Sequence, residues 1–147
     1  MMHSDVKEVV VYGNSMYPCL REGDKVLMLK QAAYQSGDIL VFRNENDLII
    51  HRLIVKYNCF FICKGDNSFA LEKIISNQVL GKAIKLERNG NVVTIPNVGK
   101  DFCRLSIAIN RVYCASNYNV AKTKESKEYK IFFQKYLSTS YDMEETS

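Results

Sequence analysis

The 147-residue chain contains no tryptophan, two prolines and two histidines, His3 and His51, and its longest uninterrupted apolar run is five residues, 59–63. A membrane-spanning helix needs roughly 20 consecutive apolar residues, so no transmembrane anchor is expected. The opening MMHSDVKEVVVYG lacks a basic start followed by an apolar block and does not read as a secretory signal. The five cysteines, at 19, 59, 63, 103 and 114, are odd in number and contain no C-x-x-C pair, which suits a reducing compartment. The chain is therefore expected in the cytoplasm. Cys59 and Cys63 would fall four apart on one strand, roughly 13 Å end to end, too far for a disulfide or a shared tetrahedral metal. With so few histidines a zinc site is not expected; no cofactor is expected either. Charge of one sign is not in large excess either: 20 Lys and Arg stand against 16 Asp and Glu, spread along the whole chain, so nucleic acid is not an expected partner.

What is present suits a globular domain: 47% hydrophobic and 24% charged residues. The first two thirds are written in short strands. Residues 6–12 are rich in β-branched valine, 25–30 alternate, 38–43 carry Ile-Leu-Val-Phe, and 48–57 face 58–64 across a polar break. Asn89-Gly90, between two further apolar runs, is a two-residue hairpin signal. The period changes after Pro96. Phe102, Leu105, Ile109 and Val112 recur at helical spacing, as do Tyr129, Phe132, Phe133, Tyr136 and Leu137. The expectation is a mainly β fold over 1–96, an antiparallel sheet, followed by two C-terminal α-helices in an extension, 97–147, packed on the same domain. Residues 117–126 read as a polar connector and 142–147 as a frayed acidic tail. The second helix, 122–137, carries five lysines, a pattern open to weak association with an anionic membrane as well as to a solvated face.

The segment Gly13-Asn14-Ser15-Met16-Tyr17-Pro18-Cys19-Leu20 is the most informative. A serine placed after a strand and a Gly-Asn turn, then locked by a proline, can present its hydroxyl and its own N–H to one point. An acyl-transfer nucleophile needs that arrangement, although Gly-Asn-Ser alone is also ordinary turn chemistry.

In order along the chain, GNSMYPCLREGDKVLM, GDILVF, HRLI, CKGDN and VLGKAIKLERNG resemble the successive motifs of the type I signal peptidases and the LexA-like self-cleaving repressors. The likeness runs from about Val9 to Gly90. It implies a coiled, partly barrel-like antiparallel sheet and serine peptidase chemistry, with Ser15 as the nucleophile. Where many relatives place a lysine, this chain has His51-Arg52, as in the histidine-type signal peptidases of the endoplasmic reticulum. His51 is then the implied general base, a role that suits an imidazole, whose ordinary pKa is about 6.5.

A third group should orient the imidazole. The resemblance offers two, Asp66 in the Lys64-Gly65-Asp66-Asn67 box and Glu72. Leu71 stands where relatives carry another acid, and the choice stays open: Asp66 in the triad, or Asp66 paired with Arg52 and Glu72 on His51. For the oxyanion, the Ser15 N–H is the implied donor. Gly13 stands where many relatives use a hydroxyl residue, leaving Asn14 or a backbone N–H near it as substitute. Met16 is expected in the pocket for the residue before the cut and Pro18 in the turn, with Arg52, Lys64 and Asn67 supporting.

The implied function is a serine endopeptidase of the signal peptidase I-like type, without a membrane anchor, cleaving an extended peptide at small residues. The substrate it points to is a leader-bearing peptide matured in the cytoplasm. A non-catalytic peptide-binding module of the same fold is the alternative. A self-cleaving regulator would need a DNA-reading module that the dozen residues before Ser15 cannot hold.

Overall fold

A computed structural model describes residues 6–138. Eight strands form one antiparallel sheet: β1 (Val6–Val10), β2 (Lys25–Leu29), β3 (Ile39–Asn44), β4 (Asp47–Lys56), β5 (Phe61–Lys64), β6 (Glu72–Ile74), β7 (Val79–Arg88) and β8 (Asn91–Thr94). Their order is β1-β2-β7-β3-β4-β5-β6, with β8 paired to β7. The mainly β expectation therefore holds. β3 sits centrally, and Ile39, Leu40, Val41 and Phe42 are all buried. Ile39 points into a core with Val11, Met16, Leu20, Val26 and Leu86, whereas Leu40 and Phe42 join Leu53, Phe61, Cys63 and Val79 on the other face. Each such side chain contributes about 1.5–3 kcal/mol by leaving water. Asn89 and Gly90, both at positive φ, close the β7–β8 hairpin, as that dipeptide favours.

The helices are α1 (Gly99–Ala115), α2 (Val120–Glu125) and α3 (Lys127–Phe132), the last continuing through a π turn, Phe133–Leu137. Two corrections follow. Most of the expected connector is helical, Val120–Glu125: the Asn119 side chain accepts from Lys122 N–H, and the Ser126 side chain accepts from Tyr129 N–H, so each starts a short helix. Cys59 lies exposed in the β4–β5 turn rather than on a strand, and all five cysteines are free thiols. The acidic tail and His3 lie outside the described residues. No helix among the described residues is long and apolar enough to cross a membrane.

Phe102, Ile109, Phe132 and Leu137 form a third core with Phe69 and Tyr129. The apolar side of the lysine-rich segment is thus turned inward, although Ile131 and Phe133 remain exposed. This layer covers two cations that pair across β4 and β5, Arg52 and Lys64. Phe102 lies over the Arg52 guanidinium at 4.9 Å and Phe132 over the Lys64 ammonium at 5.8 Å.

Burial pushes the Lys64 ammonium down to about 8, Asp66 opposing the shift and Arg52 adding to it. An unfolded lysine near 10.5 binds more protons than the folded one between pH 8 and 10.5. Lys64 therefore makes stability rise across that window and destabilises by a constant amount below it. Relative to Lys64→Met, the wild-type chain should gain up to ~3 kcal/mol from pH 8 to 10.5, measured by urea unfolding. A flat difference would mean that water reaches the ammonium.

Candidate functional site

The turn after β1 is built by its own backbone. Val11 exchanges hydrogen bonds with the 23–24 segment (Val11 N–H to Asp24 carbonyl 2.9 Å, Gly23 N–H to Val11 carbonyl 2.9 Å). Gly13, at φ +78°, reverses the chain and donates its N–H to the Glu22 carboxylate at 2.8 Å. A short turn then carries Met16 and Leu20 into the core, with Leu20 N–H bonding the Met16 carbonyl at 2.9 Å. The Tyr17–Pro18 bond is cis and Pro18 is buried. Ser15 remains at the surface of this turn, half-buried.

Period two along β4 sends His51 and Arg52 to opposite faces of the sheet. Leu53 pairs with Cys63 and Cys63 with Glu72, so His51, Leu53, Cys63 and Glu72 share one face. The imidazole meets both partners there. Its Nε2 lies 3.1 Å from Ser15 Oγ, and its Nδ1 is hydrogen-bonded to Glu72 Oε1. Cys63, beneath this group, has its thiol pushed up to about 12, mainly by burial and also by Glu72; it is a packing residue.

Gly65 follows β5 and faces His51. A Cβ there would come within 2.6 Å of the Ser15 carbonyl and 3.2 Å of His51 Nε2, so only glycine lets the 65–68 loop press against both residues. That loop also grips the serine turn. Asn67 N–H donates to the Ser15 carbonyl at 2.8 Å, Asn67 Nδ2 to the Asn14 carbonyl at 3.0 Å, and Asp66 N–H to Met16 Sδ at 3.4 Å.

Asp66 itself points away from the imidazole. Of the two arrangements open in the sequence, the chain has the one with Glu72 on His51, and Asp66 as the orienting acid is corrected. Asp66 holds Arg52 through two bonds, Nε at 3.1 Å and Nη2 at 2.6 Å, both side chains almost wholly buried. The reason is strand parity: Arg52 faces the helices, and so does the carboxylate that neutralises it. Burial alone would lower the guanidinium pKa, but Asp66 and Cys19 outweigh it and hold Arg52 above its ordinary value. Arg52 Nη1 also donates to the Gly37 carbonyl at 3.0 Å. A second buried pair, Asp24–Arg88 at 2.7 and 2.9 Å, anchors the end of the serine turn, Asp24 also accepting from Arg21 N–H at 2.7 Å. Its carboxylate lies in the quoted G-D motif. Nothing local in the sequence pairs it with a residue 64 positions away.

Lys64 is buried and not at the reacting atoms; its Nζ donates to the Gly65 carbonyl at 3.4 Å. Asn14 is exposed, and its carbonyl is occupied by Tyr17 N–H and Asn67. Among the described residues the Ser15 N–H makes no hydrogen bond.

A cleft of about 540 Å³ opens at Ser15 and His51. One wall is β1 with its continuation to Tyr12, the other is residues 48–51 of β4, and Met16 lies at the inner end. Among the described residues both walls are strand edges with free ladder positions: β1 pairs with β2 alone, and β4 meets β5 only from Arg52 onward. The sheet curls until these two edges face each other.

A protein-family model described as Peptidase S24-like matches residues 2–84, more than half of the 147. No curated protein sequence matches the chain.

Proposed function

The chain belongs to the Peptidase S24-like family, and from that premise we propose that it is a serine endopeptidase acting on an extended peptide laid in the cleft. The observation that carries this reading is the Ser15 Oγ–His51 Nε2 distance of 3.1 Å with Glu72 bound to the far nitrogen. With hydrogen on Nδ1 directed at Glu72, the Nε2 lone pair faces the serine hydroxyl. Ser15 Oγ attacks the scissile carbonyl while His51 takes its proton. The oxyanion is received by the Ser15 N–H, with Asn14 as the neighbouring donor. His51 then protonates the leaving amine, and a water activated by the same nitrogen hydrolyses the ester.

Main-chain pairing with the two strand edges supplies grip that does not depend on side chains. The walls are aliphatic, from Val9 to Val11 and from Leu48 to Ile50, and suit small apolar side chains next to the cut. Maturation of a leader-bearing peptide in the cytoplasm is the role proposed for this chemistry.

A fluorophosphonate probe tests the reading. Wild-type protein should acquire the probe on the tryptic peptide containing Ser15, and Ser15→Ala should acquire none there. Equal labelling of the two proteins would leave a peptide-binding module with an idle hydroxyl.

A further inference from the structure

The cleft does not end with the aliphatic stretch. At Glu8, Val9 and Leu48 it passes into a second hollow of about 530 Å³ that shares those three residues with it. The new lining is basic: Lys7, Lys30 and Arg43. All three side chains are exposed, and among the described residues none has a carboxylate within ion-pair distance. Among the described residues Glu8 is the one acidic residue of the second hollow, while Glu45, in the β3–β4 turn, and Asp47, at the start of β4, lie outside the lining. One groove thus starts at a hydroxyl and an imidazole, runs between aliphatic walls, and ends among three cations against one anion.

Its length is set by the strands. Tyr12 and Lys7 are five residues apart, about 16 Å of extended chain, and a peptide paired to the same edge advances at the same rise. Moreover, the alternation β1-β2-β7-β3-β4 of antiparallel pairs makes β1 and β4 run in the same sense, both towards Ser15. A peptide between them meets both edges in one sense and stays extended along the whole groove.

We propose that the groove selects peptides carrying an acidic side chain four to six residues from the scissile bond, separated from it by small or aliphatic residues, with Lys7, Lys30 and Arg43 receiving the carboxylate. This rests on the peptidase reading above and adds the class of substrate. A peptide with no charge in that window loses the far contact and keeps only main-chain pairing.

The test is a set of peptides sharing one cleaved core, with a single Asp walked from seven residues before the bond to seven after. On one side of the bond, Asp at four to six residues should raise kcat/KM about five- to tenfold over the uncharged parent at low salt. The gain should shrink below about twofold at 0.5 M salt, because exposed charges are screened. In the triple variant Lys7→Gln, Lys30→Gln, Arg43→Gln, the ratio of Asp peptide to parent should fall to about one. A gain independent of position, no gain at all, or a ratio unchanged in the triple variant overturns the proposal. The same peptides binding to Ser15→Ala, followed by fluorescence anisotropy, read the groove without turnover. Absent hydrolysis with position-dependent binding would sink the peptidase reading and keep this one; hydrolysis of the parent with flat binding would do the reverse.

Discussion

Replacing His51 by alanine should lower peptide hydrolysis by roughly 10⁴-fold or more, and replacing Glu72 by alanine by roughly 10²–10⁴-fold, both without loss of folding. The two magnitudes differ because the residues stand at different removes from the reacting atoms. In the proposed mechanism His51 Nε2, 3.1 Å from Ser15 Oγ, handles its proton directly, whereas Glu72, bound to Nδ1, holds the ring and offsets the charge it acquires. Glu72 is partly exposed on a three-residue strand at the sheet's margin, so its removal strands no buried partner. Melting temperatures of wild type and Glu72→Ala should agree within a degree or two. The double variant Ser15→Ala, His51→Ala should be no worse than either single one, because in the proposed mechanism the pair works as a unit. Undiminished turnover in His51→Ala would remove the imidazole from the chemistry.

The second large effect is structural and belongs to the other carboxylate. Asp66→Ala should destabilise the protein by about 3–5 kcal/mol, because Arg52 stays charged and buried with its counter-ion gone. For a chain of this size that is a fall of about 10–15 °C in melting temperature. Turnover should fall as well, since Asp66 sits between Gly65 and Asn67, which press on His51 and hold the Ser15 carbonyl. Asp66→Asn, retaining one acceptor, should lie between. The double replacement Arg52→Met, Asp66→Leu should recover much of the loss, because no charge is left buried. Thermal denaturation decides it: an Asp66→Ala protein melting within a degree of wild type would show that the pair holds nothing.

The contrast between these two acids is what the linear sequence could not supply. Ser15 and His51 were legible from local cues, a glycine-led turn and the one histidine of the sheet region, together with the family's order of motifs. Choosing between Asp66 and Glu72 required the face that each residue occupies. That is fixed by strand parity and by the pairings Cys63 with Glu72 and Arg52 with Lys64, neither of which is visible one residue at a time. β6 was missed for a related reason: Glu-Lys-Ile is too short to display a period and is a strand only because β5 lies beside it. In α2 there is no apolar stripe to read, and its start rests on a single cap, Asn119. The groove is a property of two edges some forty residues apart, brought together by the curl of the sheet.

Phe102 and Phe132 over Arg52 and Lys64 have a consequence for anyone shortening the chain. The two rings act as a waterproof cover for the underside of the sheet. A fragment stopped at Pro96 would keep every residue of the proposed chemistry yet let solvent in beneath it. Hydrated, Arg52 would hold Asp66 less firmly, the loop through Asn67 would slacken, and Ser15 would drift from His51, inactivated by a cut more than eighty residues downstream.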